Sequence, residues 1–171
     1  MLSESDVLDV LHVLANAGVT AWVDGGWGVD ALVGETTRAH SDLDLVVLLD
    51  QLDVVRATLA EAGFAEVLRN WLPTAMAVAD GEGREIDLHP ITGSSSEGGY
   101  QLLPGGDRFY YPSPATGTIG GHEVWCVDAA TQVRCHLGYE PAEKDRRDMT
   151  RLNASTEVTL PEEYLAPLPE H

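Results

Sequence analysis

The run Gly25-Gly26-Trp27, followed by Ser41-Asp42-Leu43-Asp44-Leu45-Val46-Val47, decides how this chain is read. A double glycine lets the backbone approach a phosphate closely. Asp42 and Asp44 stand one residue apart on an otherwise apolar strand, so they share one face while Leu43 and Leu45 share the other. Two carboxylates on a partly buried face are costly without a cation beside them. A divalent metal is such a cation, and phosphates are its usual company.

A second strand, Arg84-Glu85-Ile86-Asp87-Leu88-His89, puts Glu85, Asp87 and His89 on one face. If it neighbours the first, Asp87 comes beside Asp42 and Asp44. Three such acids repel one another without cations. With two Mg²⁺ ions about 3.5–4 Å apart they become a clamp for in-line displacement at phosphorus. Glu85 and His89 are further candidates on this face. Glu85 also reads as a solvated acid, and His89, like His40, as a hydrogen-bonded structural histidine, because hard Mg²⁺ prefers oxygen. Asp87 by itself reads equally as a surface acid paired with Arg84 or another cation. The Gly25-Gly26 turn lies between a strand and a helix, where backbone N–H groups face an anion. Arg38 faces a phosphate or pairs with Asp30 or Glu35. Asp145 and Asp148, among Lys144, Arg146 and Arg147, read as a solvated, ion-paired helix face.

The pattern of elements is mixed α/β. Val7, Leu8, Val10, Leu11 and Leu14 follow a helical period, with Ser3 or Ser5 as cap and Gly18 as stop. Strands are expected at 20–24, 43–49, 64–70, 74–80, 84–91 and 122–127. Helices are expected at 27–32, 51–62, 129–137 and from Pro141 to about Leu152. Asp80-Gly81-Glu82-Gly83 signals a hairpin. Residues 92–116, rich in Ser, Gly and Pro, read as a long functional or mobile loop. Trp27 reads as a core anchor.

Length fits one domain, 1–153, followed by a Pro-containing tail, 154–171. The tail is expected to wrap the surface or fray. Apolar runs are too short to span a membrane and the N-terminus is acidic, so a cytoplasmic protein is expected. Cys126 and Cys135 lack metal-ligand spacing and read as free thiols. Ten Lys and Arg against a net charge of −18 argue against an extended nucleic-acid partner and favour a small, cationic substrate.

Three segments together carry a family likeness: Asp-Gly-Gly-Trp-Gly-Val-Asp-Ala-Leu-Val-Gly (24–34), Thr-Arg-Ala-His-Ser-Asp-Leu-Asp (37–44) and Ile-Asp-Leu-His-Pro (86–90). With His136-x-Gly138-Tyr139-Glu140, they resemble the small antibiotic nucleotidyltransferases of the aminoglycoside 2″- and lincosamide type, within the DNA polymerase beta-like superfamily. The resemblance spans about residues 20–150. It implies the minimal nucleotidyltransferase fold, a mixed twisted sheet flanked by helices. It implies ATP or another NTP, Mg²⁺, and transfer of a nucleoside monophosphate to an antibiotic hydroxyl with release of pyrophosphate. By this likeness Asp42, Asp44 and Asp87 are metal ligands, and Asp87 is also the candidate general base. Gly25, Gly26 and Arg38 face the triphosphate, and Lys144 contacts a phosphate. Some members complete the pocket with a second subunit, which allows a homodimer. Two alternatives stand beside this reading: a toxin-like enzyme that nucleotidylates protein or RNA, and a non-catalytic nucleotide- or antibiotic-binding module.

Overall fold

In the computed structural model, which describes residues 1–165, the first helix begins where Ser3 and Asp6 cap each other. The Asp6 N–H donates to the Ser3 hydroxyl at 3.2 Å, and the Ser3 N–H donates to the Asp6 carboxylate at 2.7 Å. This helix, α1 (Glu4–Asn16), buries Val7, Val10 and Leu14. The chain then enters β1 (Trp22–Asp24), turns at Gly25 into α2 (Gly25–Val33), and runs through β2 (Asp42–Leu48) and α3 (Leu52–Glu61). Two strands, β3 (Glu66–Trp71) and β4 (Ala75–Ala79), lead to β5 (Glu85–Ser94). Next come β6 (Gly98–Leu102), β7 (Arg108–Tyr111), β8 (Ala115–Ile119) and β9 (His122–Cys126). Helices α4 (Ala129–Cys135), α5 (Glu143–Thr156) and α6 (Glu162–Leu165) close the described chain. None of its helices is long and apolar enough to cross a membrane.

The sheet runs β3-β4-β5-β2-β1-β9-β8, with β6 and β7 branching from the end of β5. β2 pairs in parallel with β5 and β1 with β9, and the other pairings are antiparallel. This is the mixed twisted sheet expected. β2 lies inside it, which explains its nearly continuous apolar sequence: both faces are covered. Leu43, Leu45 and Val47 join the core shared with α1 and α3, while Val46 packs with Trp22, Ile91 and Tyr111 on the other face. Trp27 is buried in the larger core, as expected.

Two expectations change, and the described part of the tail takes the first of its two expected courses. Residues 92–116 are not a long loop, since they carry the end of β5, then β6, β7 and the start of β8. Their glycines serve close strand pairing: a Cβ on Gly99 would lie 2.2 Å from the Thr92 carbonyl oxygen. Helix α5 runs past the expected domain edge to Thr156. The tail beyond it packs back, with Leu160 and Tyr164 buried against Val29, Met149 and Leu152. The tail expectation for residues 166–171 lies outside the described residues.

The hairpin turn before β5 is tied by charge. Asp80 accepts the backbone N–H groups of Glu82 and Arg84, each at 2.9 Å, and Arg84 Nε at 2.6 Å. Arg84 also reaches Asp6 of α1 at 2.7 Å. Burial pushes the Asp80 carboxyl up, but these hydrogen bonds outweigh it and hold the group below its ordinary value of 3.8. A carboxyl lowered on folding contributes stability that is complete above its unfolded value and lost as the pH falls through the folded one. Asp80→Asn should therefore melt several degrees lower at neutral pH. That gap should close as the pH falls below 3.8, as read by thermal denaturation across pH. A gap that persists at the acid end would contradict the assignment.

Candidate active site

Register places the acids. β2 and β5 align Asp42 with Glu85 and Asp44 with Asp87, and β1 aligns Asp24 with Asp44. Three carboxylates, Asp24, Asp44 and Asp87, thus lie in one row across three adjacent strands. The predicted neighbourhood of Asp87 and the Asp42/Asp44 pair is present in the sheet.

A cleft of about 490 Å³ opens over Asp24 and Asp44 of this row. Gly25, Gly26, Arg38, Asp42, Asp44 and Lys144 all line it, and so does His89. Asp87 and Glu85 do not line it. Asp87 is turned to the guanidinium of Arg69, which donates to Asp87 Oδ1 at 2.7 Å and also bonds Glu85. Among the described residues no three His, Cys, Asp or Glu side chains are gathered to hold one metal ion together. The expected three-acid ligand set is therefore divided here: Asp42 and Asp44 face the cleft, and Asp87 faces a cation of the protein.

The glycine turn is shaped around these acids. Gly25 has a φ of +59°, and a Cβ there would lie 2.1 Å from Asp44 Oδ2. A Cβ on Gly26 would meet His40 Nδ1 at 2.4 Å and Arg38 Nη2 at 2.6 Å. Asp24 caps α2, accepting the Gly25 N–H at 2.8 Å. Backbone, carboxylate and guanidinium are thus brought together without intervening side-chain carbon.

His89 donates Nε2–H to Asp44 Oδ1 at 3.0 Å. Burial alone would lower its pKa, but the Asp44 bond and charge, with Asp24 and Asp87 behind them, push it up to about 9. The acids of the row thus favour a positive charge on His89. Burial pushes the Asp24 carboxyl up, against the pull of His89. Burial also raises Asp87, the Arg69 bond opposes this, and the Asp44 charge adds to the rise.

Arg38 pairs with neither Asp30 nor Glu35. Its Nε and Nη2 grip Asp148 of α5, at 3.1 Å and 2.7 Å. Asp148 and Asp145 are buried and line the cleft, which corrects the expectation of a solvated helix face. Asp145 accepts the Ala142 N–H at 2.9 Å, capping α5. Asp30 is instead buried with His40, whose Nε2 bonds it, and accepts the Thr37 hydroxyl at 2.6 Å. His40 is the structural histidine expected, placed directly behind Gly26.

Sequence reasoning left Asp24 and Tyr111 without an assigned role and missed Arg69 and Gln101. The Tyr111 hydroxyl lies 3.5 Å from Asp24 and 3.4 Å from Gln101, all three lining the cleft. For Asp24 the signal was its position directly before Gly25. Arg69 had none, because its partners depend on a register two strands away. Cys126 and Cys135 are free thiols.

The cleft fits a magnesium–nucleotide pair by its donor chemistry. Two hard carboxylate oxygens face it from one strand, a glycine turn lies against one of them, and Arg38 and Lys144 supply positive charge nearby.

Comparisons with known proteins agree in kind. A family model described as aminoglycoside-2''-adenylyltransferase matches residues 6–152. A lincosamide resistance protein of Staphylococcus haemolyticus is 27% identical over 157 residues, covering 91% of this chain and 97% of that protein. The crystal structure of the lincosamide antibiotic adenylyltransferase LnuA, lincomycin-bound, has a TM-score of 0.81 at 27% identity, covering 91% of this chain and 99% of that one. The crystal structure of ANT(2")-Ia in complex with adenylyl-2"-tobramycin has a TM-score of 0.72 at 19% identity, over 89% of this chain and 88% of that one, a likeness of fold.

Proposed function

This chain belongs to the aminoglycoside-2''-adenylyltransferase family, and we propose that it adenylylates a hydroxyl of a small antibiotic of lincosamide or aminoglycoside type. ATP is the donor and pyrophosphate the second product. The observation that carries this reading is the Asp42/Asp44 pair, facing one cleft with the Gly25-Gly26 turn set against Asp44. The relative of similar length is a lincosamide resistance protein, which favours that acceptor class.

Asp42 and Asp44 would hold Mg²⁺, which when bound neutralises charge on the phosphates and on the attacking oxygen. Gly25, Gly26, Arg38 and Lys144 would receive the triphosphate, with Asp148 fixing the direction of Arg38. The acceptor hydroxyl attacks the α-phosphorus in line. The new P–O bond forms as the bond to the β-phosphate oxygen breaks, and pyrophosphate leaves with that electron pair. Asp87, which neighbours Asp44 in the row but lies behind the cleft lining, would take the hydroxyl proton through one water. The buried acids Asp24 and Asp145, with the net charge of −18, make the cleft attractive to a protonated amine on the acceptor.

The test is incubation with labelled ATP, Mg²⁺ and a panel of lincosamides and aminoglycosides, read by mass spectrometry. One antibiotic should gain an AMP residue while pyrophosphate appears in equal amount. EDTA should stop the reaction, and added Mg²⁺ should restore it. Label on protein or RNA with untouched antibiotics would favour the toxin-like reading. No pyrophosphate with any NTP and acceptor would favour the binding module.

A further inference from the structure

Four pairings continue the acidic row in one direction. Arg69 of β3 aligns with Ala77 of β4, Ala77 with Asp87 of β5, Asp87 with Asp44, and Asp44 with Asp24. Two strand spacings, about 10 Å, separate β3 from β5. Arginine spans that gap across a small intervening residue, and Ala77 is such a residue, fully buried. The guanidinium then meets Asp87 at 2.7 Å and Glu85 beside it. The Trp71 ring lies 5.9 Å from its Cζ, on the same edge strand. Arg69 is about one-third exposed, while Glu85 and Asp87 are less so, at 24% and 21%.

We propose that Arg69 is the built-in counter-cation of this row, a positioning residue that holds Asp87 and keeps it outside the metal ligand set. One guanidinium compensates two like-charged neighbours, as a second metal ion would at that end. Of the three expected ligands, Asp42 and Asp44 then face the cleft, and Asp87 is held at a fixed place one strand away. Both bonds leave one guanidinium nitrogen, Nη2, whose two hydrogens go one to each carboxylate. The inference rests on the adenylyl-transfer reading only in giving Asp87 the proton.

The test titrates the full chain with Mn²⁺ alone by calorimetry, for the unaltered protein, Arg69→Gln and Arg69→Lys, with circular dichroism to confirm folding. Removing one positive charge and freeing two carboxylates should tighten Mn²⁺ binding about tenfold, or add an equivalent of bound metal, in Arg69→Gln. Arg69→Lys should lie between. In the transfer assay kcat should fall about thirtyfold in Arg69→Gln with KM for ATP within about twofold, and Arg69→Lys should recover part of the loss. A Mn²⁺ isotherm unchanged by Arg69→Gln overturns the proposal, as does a loss carried by KM for ATP. If Arg69→Gln does not fold, Arg69→Met, which also removes the charge, carries the same comparison, and an unchanged isotherm there is equally fatal. A shifted isotherm in a chain that transfers AMP to no acceptor would keep the role of Arg69 and defeat the transfer reading instead.

Discussion

Asp44→Asn is expected to lower AMP transfer by about a thousandfold or more, since a metal clamp supplies several kcal/mol and each 1.4 kcal/mol or so is a factor of ten. An amide oxygen is a poorer ligand than a carboxylate and carries no charge to hold the cation. The fold should survive. Asp44 sits between Asp24 and Asp87 in the row, so neutralising it relieves repulsion on both sides. The melting midpoint of the metal-free protein should shift little, because that relief is offset by the lost Asp44–His89 ion pair. His89 supplies an independent readout. Its pKa of about 9 owes much to Asp44, so the imidazole should titrate distinctly lower in the variant, as followed by NMR. Asp42→Asn should show the same loss of turnover with His89 little changed, because Asp42 accepts the Ser41 hydroxyl rather than His89. Near-normal turnover in a folded Asp44→Asn or Asp42→Asn protein would remove the metal assignment.

Gly25→Ala should be nearly as damaging for a different reason. At φ +59° an L side chain costs about 1–2 kcal/mol of backbone strain. The added Cβ would also stand 2.1 Å from Asp44 Oδ2 and 2.9 Å from its Cγ. One of them must move, and the acid is the softer. Displacing a ligating carboxylate by about 1 Å costs on the order of a hundredfold in rate. The expected variant melts lower and turns over at least that much more slowly, with His89 losing part of its raised pKa as Asp44 moves away. Gly26→Ala makes the useful contrast, because its Cβ meets His40 and Arg38 instead. There the loss should appear mainly in KM for ATP. If Gly25→Ala keeps both its melting point and its kcat, the close approach of turn and acid is not functional.

Much of the site was legible because strands alternate. The two-residue period puts Asp42 with Asp44, and Asp87 with Glu85 and His89, before any pairing is known. The glycine pair could be read because a turn against a phosphate or an acid excludes a Cβ. The acids of α5 were misread for a related reason. Spacing of three residues among Lys144, Arg146 and Arg147 describes a solvated face, yet Asp148 is buried by a partner 110 residues away, Arg38. The segment 92–116 was misread because its glycines and serines suit a loop and also suit tightly paired strands, and local sequence does not distinguish the two.

By itself the sequence determined the elements that build the site and their faces: an apolar β2 covered on both sides, a glycine turn leading into α2, and acids on one side of two strands. Those are properties of local spacing and of residue type. Only the tertiary structure decided register, and register decided partners. It aligned Asp24, Asp44 and Asp87 in one row, put Ala77 where Arg69 could reach across it, and set Asp148 behind Arg38. The physical reason is that a carboxylate's charge acts over a few ångströms, and which cation lies within that range depends on how distant strands pair.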